Sequence, residues 1–267
     1  MSIEIKEELI MNTKVIMEKV DMEKRTGGSE ELCKGEIAGA RPVHHIIEKG
    51  KSITFAKDAG YYHILILIKG SAEFIYGSEK YGFDERTVFI PAPDKDVTAV
   101  AKSDAAILEI QWDIAKGDDE LIKEYKTEFP VVQKYLDSIQ YVDPNKSEKT
   151  ISRMMVPQRI IPRFSMGSVE SYGYDLVKPH SHPMLDQFFY SFAENDMDVL
   201  INGEPIRMTG DIILHIPLGA DHGVEVTEGK HMHYMWIDFL PDNELGLKRL
   251  DERHKVTGTM RSFDTEK

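Results

Sequence analysis

The feature that most constrains this chain is an internal repetition. Two stretches of short β-type segments with turn residues between them, "HILILIKGSAEFIYGSEKYGFDERTVFIPAPDKDVTAVAKSDAAILEIQWDI" and "QFFYSFAENDMDVLINGEPIRMTGDIILHIPLGADHGVEVTEGKHMHYMWIDF", can be laid one on the other. His63 then meets Gln187, "IPAPDKD" at 90–96 meets "IPLGADH" at 216–222, and "QWDI" at 111–114 meets "WIDF" at 236–239, with offsets of 124 to 126 residues. Repetition at that period reads as a duplicated domain, and short strands at regular spacing read as an antiparallel sandwich or barrel. The predicted fold is therefore all-β, with two tandem barrels.

The remaining segments fit around the copies. The stretch "GDDELIKEYKTEFPVVQKYLDSI" has Asp118 placed to cap a helix, apolar residues at helical spacing and an interruption at Pro130, which predicts a helical connector. The expected division is an N-terminal arm over 1–40, a first barrel over 41–116, the connector over 117–150 and a second barrel over 151–267. The arm is polar, with "TGGSEELCKGEIAGA" reading as loop, and is expected to pack on a barrel or on a partner subunit.

Composition removes several classes of function. At 267 residues and 41% hydrophobic content the chain can bury a sizeable core. Its 46 acidic and 33 basic residues give a net charge of −13 with no Lys/Arg block, so its field repels phosphate backbones and anionic membrane surfaces. Nucleic acid is not an expected partner. The longest apolar run, Ile64 to Ile68, falls far short of the roughly 20 residues that span a bilayer, so no membrane partner is expected either. A lone Cys33 leaves no intrachain disulfide, and "MSIEIKEELIMNTKVIMEK" carries charges every few residues where a signal peptide would be apolar. The expected location is the cytoplasm.

The segment "KPHSHPMLDQFFY" at 178–190 carries the chemistry. Side chains alternate across a strand, so His180 and His182 share one face, which in a barrel can be the interior. Gln187 falls on the next strand of the hairpin, and His222 just past the tight Pro217-Leu218-Gly219 turn. A His-x-His pair alone is as well explained by two exposed or hydrogen-bonded histidines. Together with Gln187 and His222 it predicts a metal centre, with imidazoles suited to Mn, Fe, Co, Ni, Cu or Zn and an amide oxygen as a neutral fourth ligand. At the matched positions the first copy has Ala56, Asp58, His63 and Asp96, which is no set of converging nitrogen ligands. One divalent transition-metal ion per chain is expected, and the first barrel reads as a structural or dimerisation unit.

These motifs resemble those of the cupin superfamily, small double-sheet jelly rolls, and the whole chain resembles a bicupin. Gly173, "YDLVKP", His180, His182 and Gln187 are similar to the first cupin motif, and Gly210, "DIILHI", Pro217, Gly219 and His222 to the second. Two positions depart: Gln187 stands where cupins usually have glutamate, and Glu194 stands where a turn glycine is expected. The first departure bears on chemistry and the second on a turn. The His-His-Gln-His set also resembles the small uronate-ketonising cupins of pectin and alginate breakdown, and "WIDFLPD" is similar to the Asp and Phe that follow the last ligand there, although a basic residue soon after the Phe is missing. Bicupins resembling this chain commonly dimerise through barrel sheets, which implies a homodimer.

Around the expected metal lie further candidates. Tyr234, Trp236 and Asp238 share one strand face, and His231 and His233 the other. If the first set faces inward, Asp238 is an acid or base beside the metal and Trp236 a substrate contact; the alternative is that Asp238 caps the "DFLPDNE" turn. Tyr174 is a second candidate proton carrier, and Glu170 and Tyr174 share the parity of His180. Arg163 could hold a substrate carboxylate, although surface salt bridges are the commoner fate of a strand arginine. His215 reads as a packed strand residue. A neutral ligand set leaves the ion its full charge and hence its Lewis acidity. The expected activity is isomerisation, tautomerisation or elimination on a small polyhydroxy or carboxylate substrate, with an iron-dependent dioxygenase and a non-catalytic sugar-binding or sensing protein as alternatives.

Overall fold

The computed structural model describes residues 15–22, 28–84, 86–182 and 184–263, and shows two β-sandwiches in tandem. In the first, a six-stranded sheet is built on Ala40–Ile47, Tyr61–Lys69, Thr87–Ile90 and Ala105–Asp113, and faces a four-stranded sheet of Ser52–Phe55, Ala72–Tyr76, Glu79–Phe83 and Val97–Ala101. The second repeats the plan. Phe164–Tyr172, Asp186–Ser191, Ile212–Ile216 and His231–Phe239 lie in an eight-stranded sheet opposite a four-stranded sheet of Asp175–His180, Asp196–Ile201, Glu204–Thr209 and His222–Val226. All pairings are antiparallel, as the strand spacing predicted.

The large sheets are covered on both faces, which explains the unbroken apolar run at Ile64–Ile68. Leu65, Leu67 and Ile107 point into the first sandwich with Phe74 and Phe89. Their neighbours Ile64, Ile66, Leu108, Ile110 and Trp112 point the other way, against Phe188, Tyr190, Met235, Ile237 and Phe239 of the second sandwich. Trp112 and Phe239 meet there at 4.9 Å between ring centroids, and Trp112 Nε1 donates to the Pro162 carbonyl at 3.0 Å. Each large apolar side chain buried in this layer contributes on the order of 1.5–3 kcal/mol. The first sandwich thus braces the back of the second within one chain.

The connector differs from its expected form. A helix occupies only Asp118–Tyr125, with Gly117 and not Asp118 at its N-cap. Beyond Pro130 the chain is extended: Val131–Lys134 adds to the first sandwich beside Thr87–Ile90, and Ile139–Val142 adds to the second beside Ile151–Met154. The β-branched residues here find sheet edges to pair with, and tertiary pairing overrides the helical spacing read from the sequence.

The arm crosses both sandwiches. Met17–Lys19 pairs with Ile212–Leu214 of the second, and Ser29–Glu31 with Val43–His45 of the first; two stretches of the arm, 1–14 and 23–27, lie outside the described residues. At the other end, a helix at Asn243–Arg253 is capped by Asp242 Oδ1, which accepts from Leu245 N at 2.9 Å. Its Leu247 and Leu250 pack on Leu185 and Leu240. Among the described residues no helix is long and apolar enough to cross a membrane.

Candidate metal centre and its pocket

Strand register brings the histidines together. His180 ends one strand directly opposite His222, which begins its partner. A register shift between Val177 and His180, at the Lys178-Pro179 step where proline has no N–H to give the ladder, re-aims the strand end. Two glycines make the approach possible. A Cβ at Gly223, next to His222, would lie 2.7 Å from the Val177 carbonyl oxygen, and Gly219 has φ +78° in the turn before His222. The ring centroids of His180, His182 and His222 lie 4.7 to 5.3 Å apart, and one nitrogen from each falls within 4.8 Å of the others.

The ring nitrogens are sorted by the backbone. His180 Nδ1 bonds the Lys178 carbonyl at 2.7 Å and His222 Nδ1 the Ala220 carbonyl at 3.1 Å. As N–H donors these leave both Nε2 atoms as acceptors, which is how a protein orients imidazole for a cation. Burial pulls all three histidines down, His222 to about 4 and His182 to about 2, with neighbouring imidazoles adding to the effect at those two. All three are neutral at pH 7, so no proton need be displaced by a metal ion.

Gln187 lines the same pocket. It lies opposite Asp238 across the ladder, and its Nε2 donates to Asp238 Oδ1 at 2.5 Å. That bond fixes which end of the amide is the oxygen. Gln187 Oε1 is buried and has no hydrogen-bond partner, and neither does His182 Nδ1. An orphaned buried carbonyl beside three neutral imidazoles is costly on its own and is what a cation would relieve. The residues present therefore fit a divalent ion of borderline softness.

These residues line a small cavity of about 40 Å³. Tyr234, Trp236 and Asp238 line it, so the inward face of their strand is the one that carries them. Asp238 is buried, and burial pushes its carboxyl up to about 7 against the opposing bond from Gln187. The structure also brings in residues that the repeat did not suggest: Tyr141, Asp143 and Lys146 from the connector, and Leu250 and His254 from the C-terminal helix and its end. No spacing signal marks them, because they reach the pocket by docking and not by strand alternation.

Three other candidates lie elsewhere. Tyr174 is 52% exposed, away from the pocket lining, with its backbone N–H held by Glu228 and its carbonyl by Lys149 Nζ; its parity with His180 is lost where the chain turns between the two strands. Arg163 is committed to Asp118, through Nε at 3.1 Å and Nη2 at 2.7 Å, and lies over the Trp112 ring. Glu170 faces away from the second sandwich's interior, pairing with Arg153 and with His231, both at 3.3 Å.

Glu170, His231 and His233 form a second cluster close enough for an ion, yet its donors are already used. His233 bonds Glu194 through Nδ1 at 2.6 Å and the Tyr135 hydroxyl through Nε2 at 2.7 Å. Arg86 of the first sandwich grips Glu194 at 2.7 and 2.9 Å, and Arg153 lies on the Tyr135 ring. The carboxylates are balanced by guanidinium groups, so the cluster is a polar clasp between sandwiches. Glu194, expected to affect only a turn, is its central acid. His215 packs on Phe188 and pairs with Glu36 at 3.2 Å, a strand residue outside the pocket lining.

In the first sandwich the matched positions do not converge. Asp58 accepts from Gly60 N and Asp96 from Lys57 N, both at 2.7 Å, as loop ties. His63 instead bonds Glu109, which also holds His45 at 2.8 Å. Burial alone would raise Glu109, but the two histidines outweigh it and hold the carboxyl at about 2. Both ring nitrogens of His63 in this buried His-Glu-His bridge are thereby used, since Nε2 bonds the Ala56 carbonyl at 2.9 Å.

The chain has the cupin fold. Among solved structures it is similar to an IolB-like protein from Salmonella typhimurium LT2 (13% identity over 85% of this chain and 94% of that one, TM-score 0.66). It is likewise similar to a cupin 2 conserved barrel domain protein from Leptotrichia buccalis (12%, 86% and 98%, TM-score 0.56). A third similar structure is Lactobacillus farciminis oxalate decarboxylase in its formate complex (10%, 88% and 86%, TM-score 0.60). No family model matches the sequence, and no curated protein matches it.

Proposed function

We propose that the second sandwich is a metal-dependent enzyme centre, with one divalent transition-metal ion held by His180, His182, Gln187 and His222. Its reaction is isomerisation, tautomerisation or elimination on a small polyhydroxy or carboxylate molecule. The observation that carries this reading is the buried, unpartnered Gln187 Oε1 beside three neutral imidazoles, two of which, His180 and His222, are already oriented by backbone carbonyls. Bound there, the ion would supply Lewis-acid polarisation of a substrate oxygen.

The chain's own residues supply the proton chemistry. Asp238 accepts from Gln187 at Oδ1, which leaves Oδ2 to carry and pass a proton, and a carboxyl titrating at about 7 can serve as either acid or base. Phe189, Trp236 and Val177 wall the pocket with apolar surface and limit water beside the reacting carbon. Likeness to an oxalate decarboxylase and an IolB-like protein is compatible with enzymatic use of this fold, but does not choose the reaction.

The test is proton exchange and product formation from sugar acids in deuterated buffer under strict anoxia, with the protein loaded with zinc. Incorporation of deuterium at a carbon next to a carbonyl, lost in Asp238→Asn, is the expected result. Turnover only with iron and oxygen would make the centre a dioxygenase, and recovery of every ligand unchanged would make it a binding site.

A further inference from the structure

The connector places one cation in this pocket whose hydrogen-bonding capacity is not used. Lys146 lines the cavity, and its Nζ donates to the Tyr141 hydroxyl at 2.8 Å while sitting 4.6 Å from the centre of that ring. Among the described residues no carboxylate lies within 4.0 Å of it. The nearby acid in the lining, Asp143, is taken by Arg253 through two bonds of 3.1 Å. An ammonium carries three donors, so two of them have no protein acceptor. Burial draws Lys146 down only to about 8, and it remains an ammonium at neutral pH. In the same pocket Trp236 Nε1 faces the Tyr141 hydroxyl without making a hydrogen bond of good geometry.

The position of Lys146 is built, not incidental. Asp143 Oδ1 accepts from Asn145 N at 2.7 Å, the Asp143 carbonyl accepts from Lys146 N at 3.0 Å, and the Asn145 carbonyl accepts from Lys178 N at 2.8 Å. The loop is thus tied to the strand that ends at His180 and, through Asp143, to the C-terminal helix. A divalent ion on neutral ligands plus this ammonium leaves the pocket positive, because of the two carboxylates in its lining Asp143 is neutralised by Arg253 and only Asp238 remains. A buried excess of that size calls for an anion.

We propose that the substrate of this pocket is a small carboxylate bearing a neighbouring oxygen, a 2-hydroxy, 2-oxo or sugar acid, and that Lys146 receives its carboxylate while the oxygen faces His180, His182 and His222. This rests on the metal reading above and narrows its substrate to anions. Lys146, supplied from outside either barrel core, is then the residue that selects a sugar acid over the neutral sugar.

The experiment uses the full chain loaded with metal, with glucuronate and glycerate as carboxylate probes and glucose and glycerol as their neutral counterparts. Affinities are measured by calorimetry, and metal content separately by elemental analysis, for the wild type, Lys146→Met and Lys146→Arg. The expected result is that the wild type binds at least one acid about tenfold or more tighter than its neutral counterpart, and that Lys146→Met loses that preference while keeping its metal. Lys146→Arg should recover part of it. A lysine that serves only to hold Tyr141 would, on substitution, lower the melting temperature and leave the acid-to-neutral ratio unchanged, which overturns the proposal. So would a wild type that binds neither acid or favours the neutral compounds. A wild type that takes up no metal would instead refute the metal reading, because that measurement is independent of Lys146.

Discussion

Replacing Gln187 with glutamate separates a metal ligand from a structural amide. In the apo protein the change removes the Gln187 Nε2 bond to Asp238 Oδ1 and sets two carboxyl groups at that 2.5 Å contact. Two full charges at about 3 Å repel by about 5 kcal/mol even at an effective dielectric of 20, so one group must hold a proton. Asp238, already at about 7, holds that proton at little cost, and the apo variant is left with an uncompensated buried carboxylate at position 187, which costs about 3 kcal/mol. For a chain of this size the apo variant should melt about 6–12 °C below the apo wild type. Binding of an ion reverses the balance, since the new carboxylate becomes an anionic ligand. The variant's melting temperature with metal should therefore match or exceed that of the loaded wild type, while turnover falls because the ion's charge is partly neutralised. The assay is circular-dichroism melting of both proteins in chelator and in excess divalent ion. An equal loss in both conditions would mean that Gln187 never touches the ion.

Other perturbations test the rest of the account. Glu109→Gln should leave metal content unchanged and flatten the pH dependence of the urea midpoint. Glu109, held at about 2 against an ordinary 4.5, stabilises the fold above pH 4.5 and loses that contribution as pH falls towards 2. His63 is shifted the other way: burial would lower it, but Glu109 raises it, so its contribution is present below 6.5 and fades as pH rises through the folded value. A wild-type maximum between these limits is expected, and an unchanged profile in the variant would refute the role of the bridge. Arg163→Met strands the buried Asp118 carboxylate and should cost about 3–5 kcal/mol in chemical denaturation without loss of metal; a selective loss of substrate affinity would return Arg163 to the site. Tyr174→Phe should leave turnover unchanged, as its exposed ring requires, and a large fall in rate would contradict its placement.

Much of the site was legible because it lies on alternating strands. His180, His182, Gln187 and His222 converge, and Tyr234, Trp236 and Asp238 share the inner face, since period-two alternation and the tight turn at Gly219 are local properties. Local periodicity stopped helping where the chain docks. Tyr141 and Lys146 reach the pocket from a strand and from the loop after it, within a connector that read as helical, and His254 reaches it from the end of a C-terminal helix. Arg163 and Glu170 lie outside the pocket lining for a different reason: their partners Asp118 and Arg153 are brought by tertiary packing and not by sequence neighbourhood. Glu194 looked like a turn variant because Arg86, 108 residues earlier, is invisible to any local pattern.

The central claim is that one copy of a duplicated fold holds the ion. Elemental analysis of the full chain, purified and reloaded with manganese or zinc, tests it most directly when the wild type is compared with His180→Ala/His182→Ala and with His63→Ala/Asp96→Ala. The account predicts about one ion per chain in the wild type and in the His63/Asp96 variant, and none in the His180/His182 variant. Two ions per chain, or full loading after loss of His180 and His182, would contradict it.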